Sequence, residues 1–262
     1  MCELLGLCSR EKIEVNDLLK AFYARSVNHP NGWGLAFFYG NAVSLEKEPL
    51  AAHESRYLKE RLHHRIEADT MMAHIRLATR GTMEYENCHP FVHRDASDRT
   101  WTLMHNGTVF EGPQIDRYID VQEGQTDSER ILLHIVGEIN RRMQEKGAPP
   151  DAGERFEVVS GIIAALSPRA KLNLMIYDGE LFYTHTNYAR SLYNAPVPGG
   201  RLFATSPLCE EIPWSLKWNC LPLNTVRAWR DGELAYQSTP HGHEYVDTEE
   251  DLKMLFADFA GL

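Results

Sequence analysis

The sequence predicts an α+β fold in which antiparallel sheets are covered by helices. Three observations carry this. Short apolar runs with strand character recur along the chain, and two of their connections contain Asp-Gly, the dipeptide of tight hairpins (Asp178-Gly179 and Asp231-Gly232). Two segments with helical apolar spacing flank a Pro- and Gly-containing loop, Lys146 to Gly153. The regular βαβ alternation of a parallel sheet is missing, as are GxGxxG and P-loop patterns.

The strand runs are Cys2–Cys8, Trp33–Tyr39, Met71–Leu77, Trp101–Met104, Leu172–Tyr177, Leu181–His185, Leu202–Thr205, Val226–Trp229 and Leu234–Gln237. The first helix is expected over Asp127–Met143, with Ile131, Leu132, Ile135, Val136 and Ile139 on one face. The second is expected over Phe156–Leu166. Length and the lack of any repeat or low-complexity run suit one domain over residues 1–262.

Composition narrows the function. The chain has 262 residues, 27 Lys and Arg against 37 Asp and Glu, and a formal charge of −10. Such a surface repels phosphate backbones, which argues against nucleic acid as a partner. No apolar run approaches the ~18–20 residues of a membrane span, and charges at Glu3, Arg10, Glu11 and Lys12 break any secretory h-region. The five cysteines (Cys2, Cys8, Cys88, Cys209, Cys220) are odd in number and form no CxxC, so free thiols in a reducing cytoplasm are expected. Cys8, Cys209 and Cys220 read as buried apolar residues, and Trp214, Trp218 and Trp229 as core. Cys88, His89 and His93 match no zinc spacing, so neither a metal nor another cofactor is expected.

Five polar clusters carry candidate chemistry. Once Met1 is removed, Cys2 joins a thiol and a free α-amine in one residue, and the amine, with a reference pKa of about 7.7–8.0, can serve as the base for its own nucleophile. In His74-Ile-Arg-Leu-Ala-Thr-Arg-Gly81, Arg76 ends an apolar strand; it suits a bidentate grip on a carboxylate or a surface salt bridge. Asn87-Cys-His-Pro90 places His89 where it can orient a loop or touch substrate. In His105-Asn-Gly107, the Asn amide and the Gly N–H are the material of an oxyanion hole, while Asn-Gly is also a strong turn signal. Thr126-Asp-Ser-Glu129 reads as a capping box, and Asp127 within it can bind an ammonium or complement the helix dipole.

Together with Met-Cys2-Glu-Leu-Leu-Gly6 and Asn31-Gly-Trp-Gly34, these clusters resemble, in order and spacing, the class II glutamine amidotransferases, the N-terminal-cysteine branch of the Ntn hydrolases. The start and the Asn-Gly-Trp-Gly piece look most like stand-alone, YafJ-type members. The resemblance covers roughly the first half of the chain. It implies a four-layer αββα sandwich in which Cys2 attacks the γ-carboxamide of L-glutamine to give a γ-glutamyl thioester and ammonia. It implies an oxyanion hole from Asn106 and Gly107, Arg76 on the α-carboxylate and Asp127 on the α-ammonium. Thr79 and His89 would line the glutamine pocket, and Trp33 and Gly34 would lie beside the nucleophile. The chain departs from the sugar-synthase members at Leu77 and Arg80, where those have an aromatic residue and a His, so the rim of the site differs.

The resemblance implies a glutaminase that supplies ammonia, with any ammonia-accepting synthase on a separate chain. The alternative is a γ-glutamyl hydrolase acting on a peptide or conjugate, with the same residues holding the γ-glutamyl head. A third reading, a non-catalytic glutamine-binding subunit, predicts binding without turnover.

Overall fold

The structure, a computed structural model, describes residues 2–78, 81–208, 215–251 and 253. In chain order the first half contains β1 (Glu3–Glu14), α1 (Asn16–Ala24), β2 (Trp33–Tyr39), β3 (Ala42–Glu48), α2 (Arg56–His63), β4 (Glu67–Ile75), β5 (Phe91–Arg94), β6 (Thr100–Val109) and α3 (Pro113–Asp116). The second contains α4 (Asp127–Lys146), α5 (Ala152–Leu166), β7 (Ala170–Tyr177), β8 (Phe182–Thr186), β9 (Tyr193–Val197), β10 (Gly200–Ala204), β11 (Asn219–Cys220), β12 (Arg227–Arg230) and β13 (Glu233–Gln237).

These strands form two antiparallel sheets. One has the order β11-β9-β10-β1-β4-β2-β3 and the other β13-β12-β8-β7-β6-β5. Strand periodicity explains the layers. On β1, Leu5 and Leu7 join a core with Leu18, Leu19, Leu58 and Leu62 of α1 and α2. Leu4 and Cys8, on the opposite face, join Met104, Met175, Phe182, Phe203 and Trp229 between the sheets. Gly6 shares that face, and a Cβ there would fall 2.6 Å from the Phe182 ring, so the sheets close down over a residue without a side chain. On the far side Ile131, Ile135 and Ile139 of α4 pack with Val159 and Ile163 of α5 against Trp101, Leu103, Leu172 and Leu174. The order helix, sheet, sheet, helix is the expected four-layer α+β sandwich.

Several expectations are met and several are corrected. The Asp231-Gly232 turn joins β12 to β13, with both residues at positive φ as a type I′ turn requires. Thr126 caps α4 by accepting from the Glu129 amide, but the box is half made: the Glu129 carboxylate accepts instead from the amides of Glu123 and Gly124. The complete capping box is Asp151 with Glu154, which starts α5 four residues earlier than its apolar spacing shows. Cys220 is exposed rather than buried, because it sits on the two-residue edge strand β11; Cys8 is buried as expected. Cys209 and Trp214 lie outside the described residues. No described helix is long and apolar enough to cross a membrane.

The Asp178-Gly179 hairpin is tied to the helical layer. Asp178 is fully buried, accepts from the amides of Glu180 and Leu181 and the Tyr183 hydroxyl, and pairs with the Arg155 guanidinium of α5 at 2.7 Å. Removing one partner leaves the other charge buried. Asp178→Ala is expected to lower stability by roughly 3–5 kcal/mol, measured by equilibrium denaturation. A loss below about 1 kcal/mol, the range of an exposed pair, would show that the pair does not hold the hairpin.

Candidate active site

The site is assembled where the ends of β1 and β4 meet the outer half of β6. Glu3 pairs with Ile75 and Leu4 with His74, so Cys2 and Arg76 stand opposite one another at the next position. The Cys2 Sγ donates to the Leu77 carbonyl at 3.4 Å. Burial pushes its thiol above the ordinary cysteine value, against the opposing pull of the backbone bond, the N-terminal charge and Arg76. Burial thus favours the neutral thiol over the thiolate.

Arg76 is buried, not at the surface. Its guanidinium donates to the carbonyls of Thr82 at 2.8 Å and Gly81 at 3.0 Å. Its backbone pairs with the segment before β2: the Arg76 amide bonds the Gly32 carbonyl, and the Asn31 amide bonds the Arg76 carbonyl. The Asn31 side chain accepts from the Ala78 amide. This explains Asn31-Gly32 as backbone scaffolding for the arginine.

A buried asparagine that the sequence reading did not assign, Asn87, links the two ends of the site. Its Nδ2 donates to the Thr82 carbonyl and its Oδ1 accepts from the Gln125 amide. Gln125 lies two residues before Asp127, the first residue of α4. Asp127 is buried and accepts from the Val109 amide at 2.7 Å. Its neighbour Ser128 contacts His105 Nδ1 at 3.0 Å, and His105 Nε2 donates to the Lys171 carbonyl.

His105-Asn106-Gly107 is not a turn. The three residues lie inside β6, paired with Leu174, Asn173 and Leu172, so the apolar run Trp101–Met104 continues as strand to Val109. The Val109 amide turns toward Asp127, and amides two residues apart on a strand point the same way. The Gly107 N–H therefore faces that edge too, and β5 covers only Thr100 to Leu103 there. A side chain at Gly107 would put its Cβ 1.8 Å from the Lys171 carbonyl. Asn106 shares the inter-sheet face with Met104, and its Oδ1 is buried without a hydrogen-bond partner. The same outward step of two residues leads from Leu4 to Cys2 and from Met104 to Asn106.

His89 stacks on His74 with ring centroids 4.2 Å apart, both buried, and none of their four ring nitrogens has a hydrogen-bond partner among the described residues. Burial pushes both imidazoles well below their ordinary pKa, so both are neutral. Gly34 backs this pair: a Cβ there would fall 1.9 Å from the His89 carbonyl. Trp33 is a correction. As Gly34 faces inward, its strand neighbour faces outward, and the Trp33 ring packs with the α1–α2 core and donates to Glu48 at 3.0 Å. Thr79 lies outside the described residues.

Two facing antiparallel sheets between helices, with a cysteine at the end of the first strand, define an Ntn hydrolase fold. The chain belongs to the class II glutamine amidotransferases, whose family model matches residues 1–200. An uncharacterized protein of Methanocaldococcus jannaschii is 34% identical over 267 residues, spanning 91% of this chain and 72% of that one. YafJ of Escherichia coli, whose name attributes glutamine amidotransferase activity to it, is 28% identical over 194 residues, covering 71% of this chain and 74% of YafJ. Among solved structures, the glutamine phosphoribosylpyrophosphate amidotransferase of Bacillus subtilis superposes with a TM-score of 0.65 at 13% identity, over 91% of this chain and 49% of that one. A glutamine aminotransferase class-II domain protein of Silicibacter pomeroyi superposes at 0.57 with 17% identity, over 91% and 97%.

Proposed function

We propose that this protein hydrolyses the γ-amide of L-glutamine through a thioester on Cys2. The observation that carries this reading is the placement of Cys2 opposite the buried Arg76. In this reading Met1 is removed and the freed α-amine takes the Cys2 proton as Sγ attacks the γ-carbonyl. The tetrahedral oxyanion is held by the Asn106 Nδ2 and the Gly107 N–H. Its collapse expels ammonia, which takes back the proton, and water then releases glutamate. Arg76 holds the α-carboxylate, Asp127 the α-ammonium, and His89 lines the pocket. The ammonia released is a substrate that a synthase on another chain would accept.

The test is glutamate release from L-glutamine by protein whose N-terminus is shown by mass spectrometry to be Cys2, beside a sample retaining Met1. Release only from the processed protein is expected. Equal rates from both samples would remove the α-amine from the mechanism.

Two substitutions separate binding from catalysis. Asn106→Ala is expected to lower kcat by roughly 10²–10³, and a normal kcat would make Asn106 a strand residue only. Arg76→Ala is expected to act mainly on apparent affinity. A charge-assisted contact of about 1.5–3 kcal/mol is lost, so KM should rise at least about tenfold. An unchanged KM would end its assignment to the carboxylate.

A further inference from the structure

A cavity of about 190 Å³ opens between β3 and β5, the edges of the two sheets. None of Cys2, Arg76, Asn106, Gly107 or Asp127 lines it. Its walls are Leu45 and Lys47 of β3, Phe91, Val92 and His93 of β5, and Glu129, Leu132 and Leu133 of α4, with Tyr85, Glu86, Val121 and Glu123 exposed around them. The buried Glu129 carboxylate spends both oxygens on the Glu123 and Gly124 amides. On the inner face of the first sheet Lys47 pairs with Gly34, and Gly34 with His74. Cys2 and Arg76 stand two residues beyond the Leu4–His74 pair of that row.

The content of this cavity is chemically specific. The Lys47 ammonium lies 4.5 Å from the centre of the Tyr85 ring and 5.6 Å from that of Phe91, and donates to the Cys88 carbonyl at 3.0 Å. No carboxylate among the described residues is within ion-pair distance of it; burial lowers its pKa, against the smaller opposing pull of Glu129, Glu123 and Glu86 from farther away. An ammonium has three donors, so it offers a charge and two further protons to the cavity. A half-buried cation that no carboxylate touches gains from an anionic group brought into contact with it.

The acidic rim restricts that anion. Glu86 and Glu123 are exposed at the mouth, and the formal charge of the chain is −10, so a phosphate or polycarboxylate is repelled. A molecule with one carboxylate for Lys47 and one ammonium for the rim is complementary to both. Apart from Glu129 and His93 the rest of the wall is aliphatic and aromatic, and an engineered apolar cavity of about 150 Å³ holds a benzene ring. We propose that this cavity is a second small-molecule site that takes an α-amino acid with an apolar side chain, its carboxylate on Lys47 and its ammonium toward Glu86 and Glu123. Because Lys47 holds the carbonyl just before His89, occupancy also bears on the segment that carries His89 and Asn87.

The experiment is calorimetric titration of the full-length protein with L-leucine, 4-methylpentanoate and isoamylamine, which present both charges, the carboxylate alone and the ammonium alone. L-Leucine should bind one per chain, and each single-charge analogue at least about tenfold more weakly, or about 1.4 kcal/mol. Lys47→Met keeps the apolar stem and should weaken L-leucine by at least the same factor. Leu133→Trp, which fills the cavity from a half-exposed helix position, should abolish binding. Excess L-glutamine should not displace L-leucine. The proposal is overturned by absence of L-leucine binding, by equal affinity in both variants and wild type, or by displacement with L-glutamine. The readout is binding, so it stands apart from whether Cys2 is the nucleophile.

Discussion

Cys2→Ala should abolish glutamate release from L-glutamine, by roughly 10⁴-fold or more, since a covalent route has no substitute once its nucleophile is gone. The fold should be unaffected, because Cys2 is only partly buried and its thiol makes a weak contact to the Leu77 carbonyl. Glutamine binding should survive, since Arg76 takes its own position from the Gly32, Gly81 and Thr82 carbonyls and not from the thiol. Cys2→Ser should retain only a trace, because a hydroxyl is far harder to deprotonate with an amine near pKa 8. The measurement is steady-state glutamate formation with purified variants, alongside calorimetric binding of L-glutamine to Cys2→Ala. Appreciable turnover by Cys2→Ala would sink the thioester mechanism. Loss of both binding and turnover would show that the thiol supports the pocket rather than the chemistry.

Gly34→Ala should destabilise the protein by more than about 3 kcal/mol. The added Cβ would lie 1.9 Å from the His89 carbonyl oxygen, 2.9 Å from its carbon and 3.1 Å from Pro90 Cδ. Two of these atoms are backbone, so no side-chain rotation relieves the overlap, and β2 or the Asn87–Pro90 segment has to move. The hydrogen bonds of Asn87 to Thr82 and Gln125 go with that segment, so substrate affinity should fall in whatever protein remains folded. Thermal unfolding should drop by roughly 6–12 °C. Gly40→Ala is the control: its Cβ meets nothing within 4 Å, although its positive φ of 61° adds modest strain. Equal shifts in the two variants would show that the approach of His89 to Gly34 is not tight in solution.

The helical faces and most of the strands are legible because each records a local periodicity. Ile131, Leu132, Ile135 and Ile139 write the face of α4 into the chain, and both Asp-Gly hairpins announce themselves. Strands β3, β5 and β9 and helices α1 and α2 escape the reading. β3 is a sheet edge of half-buried, mostly polar residues, and β5 is four residues long. Their pairing partners decide them, not their own composition. The same holds for Asn106-Gly107, where local preference for a turn is overridden by eight backbone pairings to β7.

Residue type and order by themselves identified the nucleophile candidate, the arginine, the donor pair and the acidic helix start, because each requires a side chain of defined chemistry. Only the tertiary structure decided which of them converge. It took the Cys2–Arg76 register to bring the thiol to the arginine, and a hydrogen bond across the chain to turn Asp127 onto Val109. It turned Trp33 outward and Gly34 inward, because strand alternation allows adjacent residues only opposite faces. It also made a cavity around Lys47, by closing two sheet edges and a helix that no sequence window contains together.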